Sequence, residues 1–380
     1  MDLRRTESDV FIVGAGPAGL ACAIAAARQG LQVEVIDAAK PPINKACGEG
    51  LLPGSLDSLA ALGVDLKRDL PQTESASLAG IRFIGDSTSK NHPAVQCNFP
   101  AGPGRGIRRT VLHQVLVDRA INLGVCFHWQ NTLRSIAIDD NLATIHTSCQ
   151  TFRTRYLVGA DGHQSRVAAF AGLTASTVYS RRIGLRQHYS VAPWNSFIEI
   201  YWSKDSQAYV TPISPTEICV AFVAQKKIIS PDQALRHFPA LQHRLAGALP
   251  NGPPRGSITL GRKLRRVTTS NIALIGDASG SVDAITGEGM ALCFRQAAAL
   301  SFALRANNLA LYQQAHRRIQ RFPSLMSRSL LLMDRSPLIR DMTLHAFQRH
   351  PRLFNRLLQM HIGQSPVQPF GTEPLHILTS

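Results

Sequence analysis

The sequence predicts a mixed α/β protein in three parts: an N-terminal domain with a parallel sheet, an antiparallel sheet that forms a second domain, and a C-terminal helical region. Three observations lead to this. An apolar run, a glycine-rich turn and an alanine-rich helical stretch follow one another from Asp9. Short strand-like runs at regular spacing fill residues 183–223. Leucines and arginines at helical spacing extend from about residue 307 to residue 362.

The first element has the order strand, tight turn, helix, strand. It consists of Val10 to Val13, the turn Gly14-Ala15-Gly16-Pro17-Ala18-Gly19, a helix over Ala18 to Gln29 and a strand over Val33 to Asp37. In such a unit the first glycine permits the turn, the second lets the backbone approach a pyrophosphate, and the third lets helix and strand pack closely. The diphosphate lies at the positive helix end. Asp37 is placed to bind an adenosine ribose, which favours FAD or NAD over NADP.

Length, charge and cysteine usage exclude several classes of protein. The chain of 380 residues can bury a large core, and it has neither a signal-peptide pattern nor an apolar run of bilayer length, so we expect a cytoplasmic protein. Its seven cysteines are scattered without a C-x-x-C pair, which excludes a disulfide framework and a zinc ribbon. We therefore predict no metal site and expect most cysteines to be reduced, small core residues.

The net charge of +16 is concentrated near the C-terminus, where nine arginines between residues 305 and 361 face only Asp334 and Asp341. Three interpretations stay open: a solvated helical face, a peripheral membrane contact, and docking to an acidic carrier protein or nucleic acid. No recognition motif accompanies the charge, so we expect no nucleic-acid partner.

The remaining elements follow from hydrophobic periodicity and turn residues. They are a loop over 41–53, a helix over 55–66, irregular strands over 72–106 with a loop at Gly102–Gly106, a helix over 108–123, strands over 132–138, 143–147 and 152–158, strands near 184–189, 197–202, 208–212 and 218–223, a helix over 232–249, a strand over 272–275, a helix over 288–306, and helices to about 362. The final residues are expected to be poorly ordered.

Three places end a strand and begin a polar turn: GAGPAG with Asp37, GADGHQSRV from Gly159, and LIGDASGSVDAITGEGMAL from Leu274. Together they resemble the FAD-dependent superfamily of the aromatic hydroxylases (p-hydroxybenzoate hydroxylase type), the geranylgeranyl reductases and the flavin halogenases. This implies a Rossmann-like FAD-binding domain of the glutathione-reductase type with an antiparallel-sheet substrate domain. The implied domains are 1–75, 105–175 and 260–306 for FAD, 76–104 and 176–259 for substrate, and 307–380 for the helical region.

The resemblance also implies roles for individual residues. Gly276 and Asp277 should hold the ribityl chain of FAD, and the helix that begins near Gly287 and Gly289 should direct its positive end at the flavin pyrimidine edge. Arg109 should begin a cofactor-facing helix, and Asp161 should serve the diphosphate side. Because the chain has no second complete dinucleotide fingerprint, NAD(P)H would bind transiently as the reductant.

The loop KACGEGLLP supplies the candidate catalytic residues Cys47 and Glu49. It resembles the cysteine-glycine loop that the reductases place near the flavin ring. The sequence leaves two roles open for Cys47, an active-site thiol or a small residue that shapes the loop. Glu49 is a proton donor, the partner of an arginine, or a solvated side chain. For His188, on a strand of the second sheet, packing is the favoured interpretation.

Three functions follow from this reading. The favoured one is an NAD(P)H-driven monooxygenase that hydroxylates an aromatic or lipid-like molecule through a flavin hydroperoxide. The alternative is a geranylgeranyl-reductase-like enzyme that reduces carbon–carbon double bonds, which the run Thr286-Gly287-Glu288-Gly289 favours. The third is an FAD-containing electron carrier. The basic, leucine-rich C-terminal helices suggest a lipid-like or carrier-bound substrate and a peripheral membrane contact.

Overall fold

The computed structural model describes residues 7–86, 93–139, 142–225, 228 and 230–362. The strands are β1 Glu7–Val13, β2 Val33–Asp37, β3 Gly50–Leu51, β4 Ser75–Leu78, β5 Gly80–Ile84, β6 Ala94–Asn98, β7 Gly104–Ile107, β8 Cys126–Trp129, β9 Leu133–Asp139, β10 Leu142–Thr147, β11 Thr151–Gly159, β12 Ser176–Ser190, β13 Phe197–Trp202, β14 Ser206–Ser214, β15 Glu217–Ala224, β16 Leu249–Leu264, β17 Thr268–Thr269, β18 Ile272–Leu274 and β19 Gly280–Ser281.

The helices are α1 Pro17–Arg28, α2 Pro53–Ala61, α3 Leu66–Asp69, α4 Arg109–Asn122, α5 Arg166–Phe170, α6 Pro231–Leu235, α7 Pro239–Arg244, α8 Gly289–Arg305, α9 Leu309–Arg335, α10 Pro337–Arg349 and α11 Pro351–Ile362. None of these helices is both long enough and apolar enough to cross a membrane. The last predicted segment, with its proline-rich end, lies outside the described residues.

The first sheet brings three chain segments to one edge. Its strand order is β17-β18-β11-β1-β2-β8, with β10 and β9 added as a meander on β11. β1, β2, β11 and β18 run parallel, and Val13 lies opposite Gly159, which in turn lies opposite Leu274. The segments after β1, β11 and β18 therefore leave the sheet side by side, at the edge where open α/β sheets bind ligands.

α1 packs on this sheet through its apolar face. Leu20 and Ile24 are fully buried, and no acidic or bulky polar side chain interrupts the alanines between them. α8 and α4 pack beside α1 and close the layer. Gly30 follows the helix with φ of +80°, the conformation that glycine supplies at helix ends.

The second sheet has the order β19-β16-β12-β15-β14-β13-β5-β6, antiparallel except for the parallel pair β13 and β5. α9, α10 and α11 pack against its β5, β6 and β13 end, where Phe83 and Trp202 of the sheet share a core with Leu331, Leu344 and other residues of the helices. A small third sheet, β3-β7-β4, lies beside it. The predicted fold class is confirmed, whereas the predicted domain boundaries stay a prediction.

Some predicted elements were wrong. The loop predicted at Gly102–Gly106 is instead strand β7 from Gly104 onward. Its glycines permit close packing, because a Cβ on Gly106 would lie 1.7 Å from the carbonyl oxygen of Pro212. The helix predicted over 55–66 ends at Ala61, and Gly63 follows with φ of +77°.

The helix predicted over 232–249 is replaced by the short helices α6 and α7. Pro239 cannot donate a backbone hydrogen bond, so a continuous helix breaks there. The long strand β16 then begins at Leu249, although its first half is rich in proline and glycine. It forms because β12 pairs with it along its whole length, from Ser190 opposite Leu249 to Ser176 opposite Leu264.

Candidate active site

The turn after β1 has glycine where a side chain cannot fit. Gly14 has φ of +106°, and a Cβ there would lie 2.5 Å from the carbonyl oxygen of Ala160. A Cβ on Gly19 would lie 1.8 Å from the carbonyl oxygen of Gly14. The space in front of Gly16 is open, since among the described residues the nearest atom to its Cβ position is Arg109 Nη2 at 3.9 Å. The first and third glycines therefore serve packing, and the second faces a cavity.

The N-terminus of α1 points its backbone N–H groups into the same cavity. No side chain of the described residues caps this helix end, which begins at Pro17 after Gly16. Uncapped N–H groups and the positive helix end form an anion site. Asp37 stabilises the turn, because its Oδ2 accepts from the Ala15 N–H and its Oδ1 from the Ala39 N–H, both at 2.8 Å. Each oxygen keeps a second lone pair for a ribose hydroxyl.

The second segment contributes Asp161. Its Oδ2 accepts from the Arg166 N–H at 2.7 Å and the Val167 N–H at 3.2 Å, so this oxygen caps α5. Its Oδ1 is buried and has no hydrogen-bond partner among the described residues. Arg109 begins α4 and lines the cavity, and its Nε is likewise buried without a partner in that part of the chain. Both residues line the cavity, so a bound ligand would supply the hydrogen-bond partners that these two atoms lack.

The third segment contributes Gly276, Asp277 and the start of α8. Gly276 has φ of +61°, and its Cβ would lie 2.6 Å from the Cβ of Ala18, which shows how closely the third and first segments approach. The Asp277 side chain is half exposed into the cavity, and its Oδ2 lies 3.4 Å from His163 Nε2. Gly287 and Gly289 have open space where a Cβ would stand. In the described part of the chain, no side chain caps the start of α8 at Gly289.

These features fit FAD. One continuous cavity of about 960 Å³ is lined by Gly16, Asp37, Asp161, Asp277 and Gly289, so all three segments contribute to a single site. Its volume is at the upper end of the range for ligand pockets. The arrangement brings together all the predicted cofactor residues, namely Gly14, Gly16, Pro17, Ala18, Gly19, Asp37, Arg109, Asp161, Gly276, Asp277, Gly287 and Gly289, although Gly19 serves packing and does not itself line the cavity.

The loop between β2 and β3 places Cys47 and Glu49 on the wall of this cavity. Glu49 has φ of +60° and only 2% of its surface is exposed, so the interpretation of a solvated side chain was wrong. Its Oε2 accepts from His188 Nε2 at 2.6 Å, and its Oε1 accepts from the Arg109 N–H at 3.1 Å. Glu49 thereby joins the loop, the substrate sheet and the start of α4.

His188 has a defined role in this arrangement. Arg186 Nη1 lies 2.7 Å from His188 Nδ1 and 2.9 Å from His188 Nε2, and His188 Nε2 lies 2.6 Å from Glu49 Oε2, so the imidazole is held between a guanidinium and a carboxylate. The sequence favoured packing for His188 and did not single out Arg186. One signal was present: residues two apart on a strand share a face, and here two ionisable residues share the face of a buried strand.

Glu49, His188 and the thiol of Cys219 lie within 4.8 Å of one another, a spacing that could hold a metal ion. The hydrogen bond between Glu49 and His188 already satisfies two of these groups, and the Arg186 guanidinium beside them balances the carboxylate charge. Burial raises the pKa of Cys219 well above its ordinary value, which keeps the thiol protonated. We therefore interpret the group as a hydrogen-bonded cluster.

Cys47 is half-buried beside Glu49, and its Sγ accepts from the Glu49 N–H at 3.4 Å. Burial raises the pKa of the Cys47 thiol above its ordinary value of 9.0, and the nearby Arg109 and Arg186 oppose this only in part. Cys47 is thus a neutral thiol at pH 7. All seven cysteines are free, but only Cys22, Cys219 and Cys293 are buried, so the expectation that most are core residues was wrong.

A second buried carboxylate lies at the start of α8. Burial raises the pKa of Glu288, and the neighbouring His361 and Arg295 lower it only in part. This histidine belongs to α11, and its Nδ1 lies 3.5 Å from Glu288 Oε2. No signal in the sequence indicates that the end of the last described helix reaches the cavity.

Beyond the Cys47–Gly50 loop the cavity continues as an apolar arm. We use this name for the part between the second sheet, with Ile81, Phe83, Ile198 and Ile200, and the helices α9, α10 and α11, with Leu330, Met333, Phe347, Phe354 and Leu358. Phe347 and Phe354 stack with ring centroids 4.9 Å apart, and Phe354 lies 5.5 Å from Phe83. The sequence did not predict this arm, because three distant segments build it.

Buried ionic contacts join the helices to the sheet next to the arm. Arg182 of β12 is 2% exposed; its Nη2 pairs with Asp334 of α9, and its Nε lies 3.4 Å from Asp283 Oδ2. Asp334 also accepts from Gln207 Nε2 at 2.7 Å and Gln225 Nε2 at 3.0 Å. These contacts fix α9 over the sheet.

A comparison with known families agrees with this geometry. A family described as FAD binding domain matches residues 7–309. The chain belongs to this family. As a member of the FAD binding domain family it is an FAD-dependent oxidoreductase, and the superfamily that the three motifs resembled is confirmed.

Individual relatives extend the comparison. The chain is 29% identical over 306 residues to a menaquinone reductase of Mycolicibacterium smegmatis, covering 75% of this chain and 73% of the relative. It is 25% identical over 300 residues to digeranylgeranylglycerophospholipid reductase 1 of Methanothermobacter thermautotrophicus, covering 75% and 74%. An FAD-dependent monooxygenase of Aspergillus terreus is 28% identical over 44% of this chain and 25% of the relative. The fold matches a flavin-dependent brominase with a TM-score of 0.75 at 20% identity, covering 95% of this chain and 94% of the other.

Proposed function

We propose that this FAD-dependent oxidoreductase reduces carbon–carbon double bonds in the isoprenoid chain of a lipid. The observation that carries the proposal is the apolar arm. It begins at the Cys47–Gly50 loop, beside the open start of α8, and runs between the second sheet and the C-terminal helices toward the outer surface.

The chemistry of the arm selects an apolar chain. Ile81, Ile198 and Ile200 form one wall and aromatic rings form the other. Each methylene that moves from water into such an environment contributes about 0.8 kcal/mol, whereas a polar group without a partner there costs about 1–3 kcal/mol. A small phenol would occupy only the end of the arm that lies at the loop. A prenyl chain would extend along the arm.

The relatives also support a substrate with an isoprenoid chain. Menaquinone and digeranylgeranylglycerophospholipid both carry isoprenoid chains, and the two relatives named as reductases of these compounds align over three quarters of the chain. The monooxygenase of Aspergillus terreus aligns over less than half of it. The alignments with the reductases therefore include more of the chain outside the nucleotide-binding turns than the alignment with the monooxygenase does.

FAD, when bound and reduced, supplies a hydride; a transient nicotinamide nucleotide is the proposed source of its electrons. The residues of the chain would hold this cofactor. The N-terminus of α1 and Arg109 would hold the diphosphate, and Asp277 would bind the ribityl hydroxyls. The N-terminus of α8 at Gly289 would stabilise negative charge on the ring. The second sheet and α9 to α11 exclude water from the reacting end of the arm.

Reduction of a double bond also needs a proton, and we propose that Cys47 Sγ holds it. The thiol lines the cavity, and its raised pKa keeps it protonated at neutral pH. After transfer, the thiolate would be stabilised by the positive charges of Arg109 and Arg186, which already act to lower the pKa. Glu49 and His188 are positioning residues for this loop, because their hydrogen bond fixes Glu49 at its positive φ.

The test uses the FAD-loaded protein under anaerobic conditions with dithionite as reductant. A menaquinone with an unsaturated chain is added, and the product is analysed by mass spectrometry. We expect a gain of two hydrogen atoms per reduced bond in the isoprenoid side chain, measured after air has returned the head group to the quinone, because dithionite also converts the quinone to the quinol. A matched substrate with the same head group and a single isoprene unit should react poorly. Absence of the hydrogenated product, with FAD bound and reduced, would reject the proposal.

Monooxygenation is the second candidate, supported by the similarity to the Aspergillus terreus monooxygenase and by the end of the cavity at the Cys47–Gly50 loop, where Glu49 is buried. The same substrate is tested in air with NADPH and with NADH. A product that has gained an oxygen atom, together with oxygen consumption coupled to its formation, would favour this function. Cys47→Ser separates the two, because loss of the thiol proton slows reduction of a double bond but leaves oxygen transfer with its cofactor intact.

A further inference from the structure

The C-terminal helices carry a surface on which arginines and large apolar side chains alternate. On α9, Arg321, Leu325, Arg328, Leu332 and Arg335 follow one another at intervals of four, three, four and three residues, and all five are exposed. At 3.6 residues per turn these intervals place the five side chains on one narrow stripe. The stripe points away from the second sheet, because the buried residues of α9 lie on the other face.

α10 and α11, which pack next to α9, also expose basic and large apolar side chains. We call the whole the basic apolar surface, and it consists of Arg321, Leu325, Arg328, Leu332, Arg335, Leu338, Ile339, Met342, Arg349, Arg352, Leu353, Arg356 and Met360. Leu338 is 70% exposed and Met342 is 64% exposed. Large apolar side chains this exposed on three successive helices indicate an interaction surface.

Negative charge is nearly absent from this part of the chain. Between Leu309 and Ile362 the sequence contains only Asp334 and Asp341 as acidic residues. Asp334 is buried against Arg182, and Asp341 is half-buried, with its Oδ1 3.8 Å from Arg340 Nε. The exposed arginines therefore act together as a positive field directed outward.

The apolar arm opens on the same surface. Ser329, Leu332 and Ile339 line the cavity and are themselves exposed, so the cavity reaches solvent between α9 and α10. Leu332 belongs to both the arm and the stripe on α9. The route into the cavity thus starts among the arginines and apolar side chains just described.

We propose that the basic apolar surface docks the protein on a bilayer that contains anionic phospholipids. The leucines and methionines enter the boundary between headgroups and acyl chains, and the arginines bind the phosphates, as on amphipathic helices that lie in a membrane interface. The mouth of the arm then faces the acyl chains. A lipid substrate moves from the bilayer into the arm without crossing water; this last step rests on the proposed function, whereas the docking itself does not.

The charge pattern favours a bilayer over the other partners that could cover such a surface. A second copy related by a two-fold axis would place arginine stripes against each other, and like charges across an interface are costly. An acidic protein would pair with the arginines but would have to match apolar side chains spread over three helices. A fluid bilayer supplies anionic headgroups and an apolar layer over the whole surface.

The test is flotation of the FAD-loaded full chain with vesicles. Phosphatidylcholine vesicles are compared with vesicles that also contain phosphatidylglycerol, at low and at high salt. We expect flotation with the anionic vesicles, weakened by salt because exposed charges are screened. Each arginine near an anionic surface contributes roughly fivefold to binding, so Arg321→Gln, Arg328→Gln and Arg335→Gln together should weaken it on the order of a hundredfold.

Two further variants separate docking from folding and from catalysis. Leu325→Gln with Leu338→Gln removes apolar contact outside the cavity and should weaken flotation while FAD absorbance and turnover of detergent-solubilised substrate stay unchanged. Ile121→Gln is the matched control, because Ile121 is 53% exposed on α4, outside the basic apolar surface. It should float like the unaltered protein.

The proposal is overturned if the protein fails to float with anionic vesicles at low salt, or if the triple arginine variant floats equally well. A dimer that dissociates in Leu325→Gln would assign the surface to self-association instead, and binding of an acidic protein without vesicle binding would assign it to a protein partner. Vesicle binding with no double-bond reduction in detergent would leave docking intact and reject the proposed reaction. The two failures are thus distinguishable.

Discussion

Arg182→Met tests whether buried ionic contacts hold the C-terminal helices on the second sheet. The substitution keeps an unbranched apolar stem but removes a guanidinium that pairs with Asp334 and lies 3.4 Å from Asp283 Oδ2. Both carboxylates are almost completely buried. Their remaining hydrogen bonds come from Gln207 and Gln225 for Asp334 and from the Ile285 N–H for Asp283.

The expected loss in the free energy of unfolding follows from these contacts. Removal of one partner from a buried ion pair costs about 3–5 kcal/mol, because the other charge stays buried without compensation. Against a total stability of roughly 5–15 kcal/mol this is a large loss.

The assay is urea unfolding of the FAD-loaded protein, followed by tryptophan fluorescence, since Trp202 is buried in the core shared by the sheet and the helices. Asp334→Asn is the matched control: Arg182 keeps Asp283, and the amide oxygen still accepts from Gln207, so the loss should be about 1–2 kcal/mol. If Arg182→Met lowers the free energy of unfolding by less than the control does, with an unchanged denaturant slope, the contacts do not have the role assigned to them.

Further predictions concern the nucleotide turn, a buried histidine and the loop thiol. Gly19→Ala should prevent recovery of FAD-loaded protein, because the new methyl would lie 1.8 Å from the carbonyl oxygen of Gly14, whereas Gly256→Ala, whose methyl meets nothing closer than 3.8 Å, should bind FAD normally. Burial lowers the pKa of His316 from 6.5 to about 4, so the unfolded chain binds a proton before the folded one does, and the free energy of unfolding should fall by about 3 kcal/mol as the pH drops across this window. His316→Gln should remove that part of the pH dependence of the free energy of unfolding, as measured by urea titrations. If the variant and the unaltered protein show the same pH dependence, His316 is not its source. Because burial raises the pKa of Cys47, this thiol should resist iodoacetamide at neutral pH and react only in more alkaline solution than the exposed cysteines require, as peptide mass spectrometry would show. Modification of Cys47 at the rate of the exposed thiols would refute the protonated state.

The nucleotide turn could be predicted from the sequence because its geometry is local. Gly19 is required because a side chain there would meet the backbone of Gly14, a few residues away. Gly14 is required because a side chain there would meet the chain that follows β11, the parallel neighbour of β1. The periodicity of β1 and α1 predicts a parallel sheet and hence such a neighbour. The second and third segments at Asp161 and Asp277 follow the same rule, since each comes directly after a buried strand. Their convergence at one sheet edge was therefore predictable.

The substrate end of the cavity could not be predicted in the same way. The hydrogen bond from His188 to Glu49 joins residues 139 positions apart, and the pair between Arg182 and Asp334 spans 152 positions. Side-chain periodicity gives the face on which such a residue lies but not its partner on another element. β16 was missed for a related reason, because its pairing with β12 overrides a composition rich in proline and glycine.

The ionic contacts of Arg182 connect the surface helices to the cofactor end of the cavity. Asp283, one of its partners, immediately precedes the turn Ala284–Thr286, which leads into the start of α8. Tyr209 strengthens this connection, because its hydroxyl donates to the Ile285 carbonyl at 3.2 Å and lies 3.1 Å from Gln207 Oε1. The residues in these contacts are buried or line the cavity, so Arg182 holds the helices next to the arm in place. Loss of Arg182 should accordingly raise the KM for a long-chain substrate more than it lowers the affinity for FAD, whose proposed diphosphate and ribose sites lie on α1 and β2.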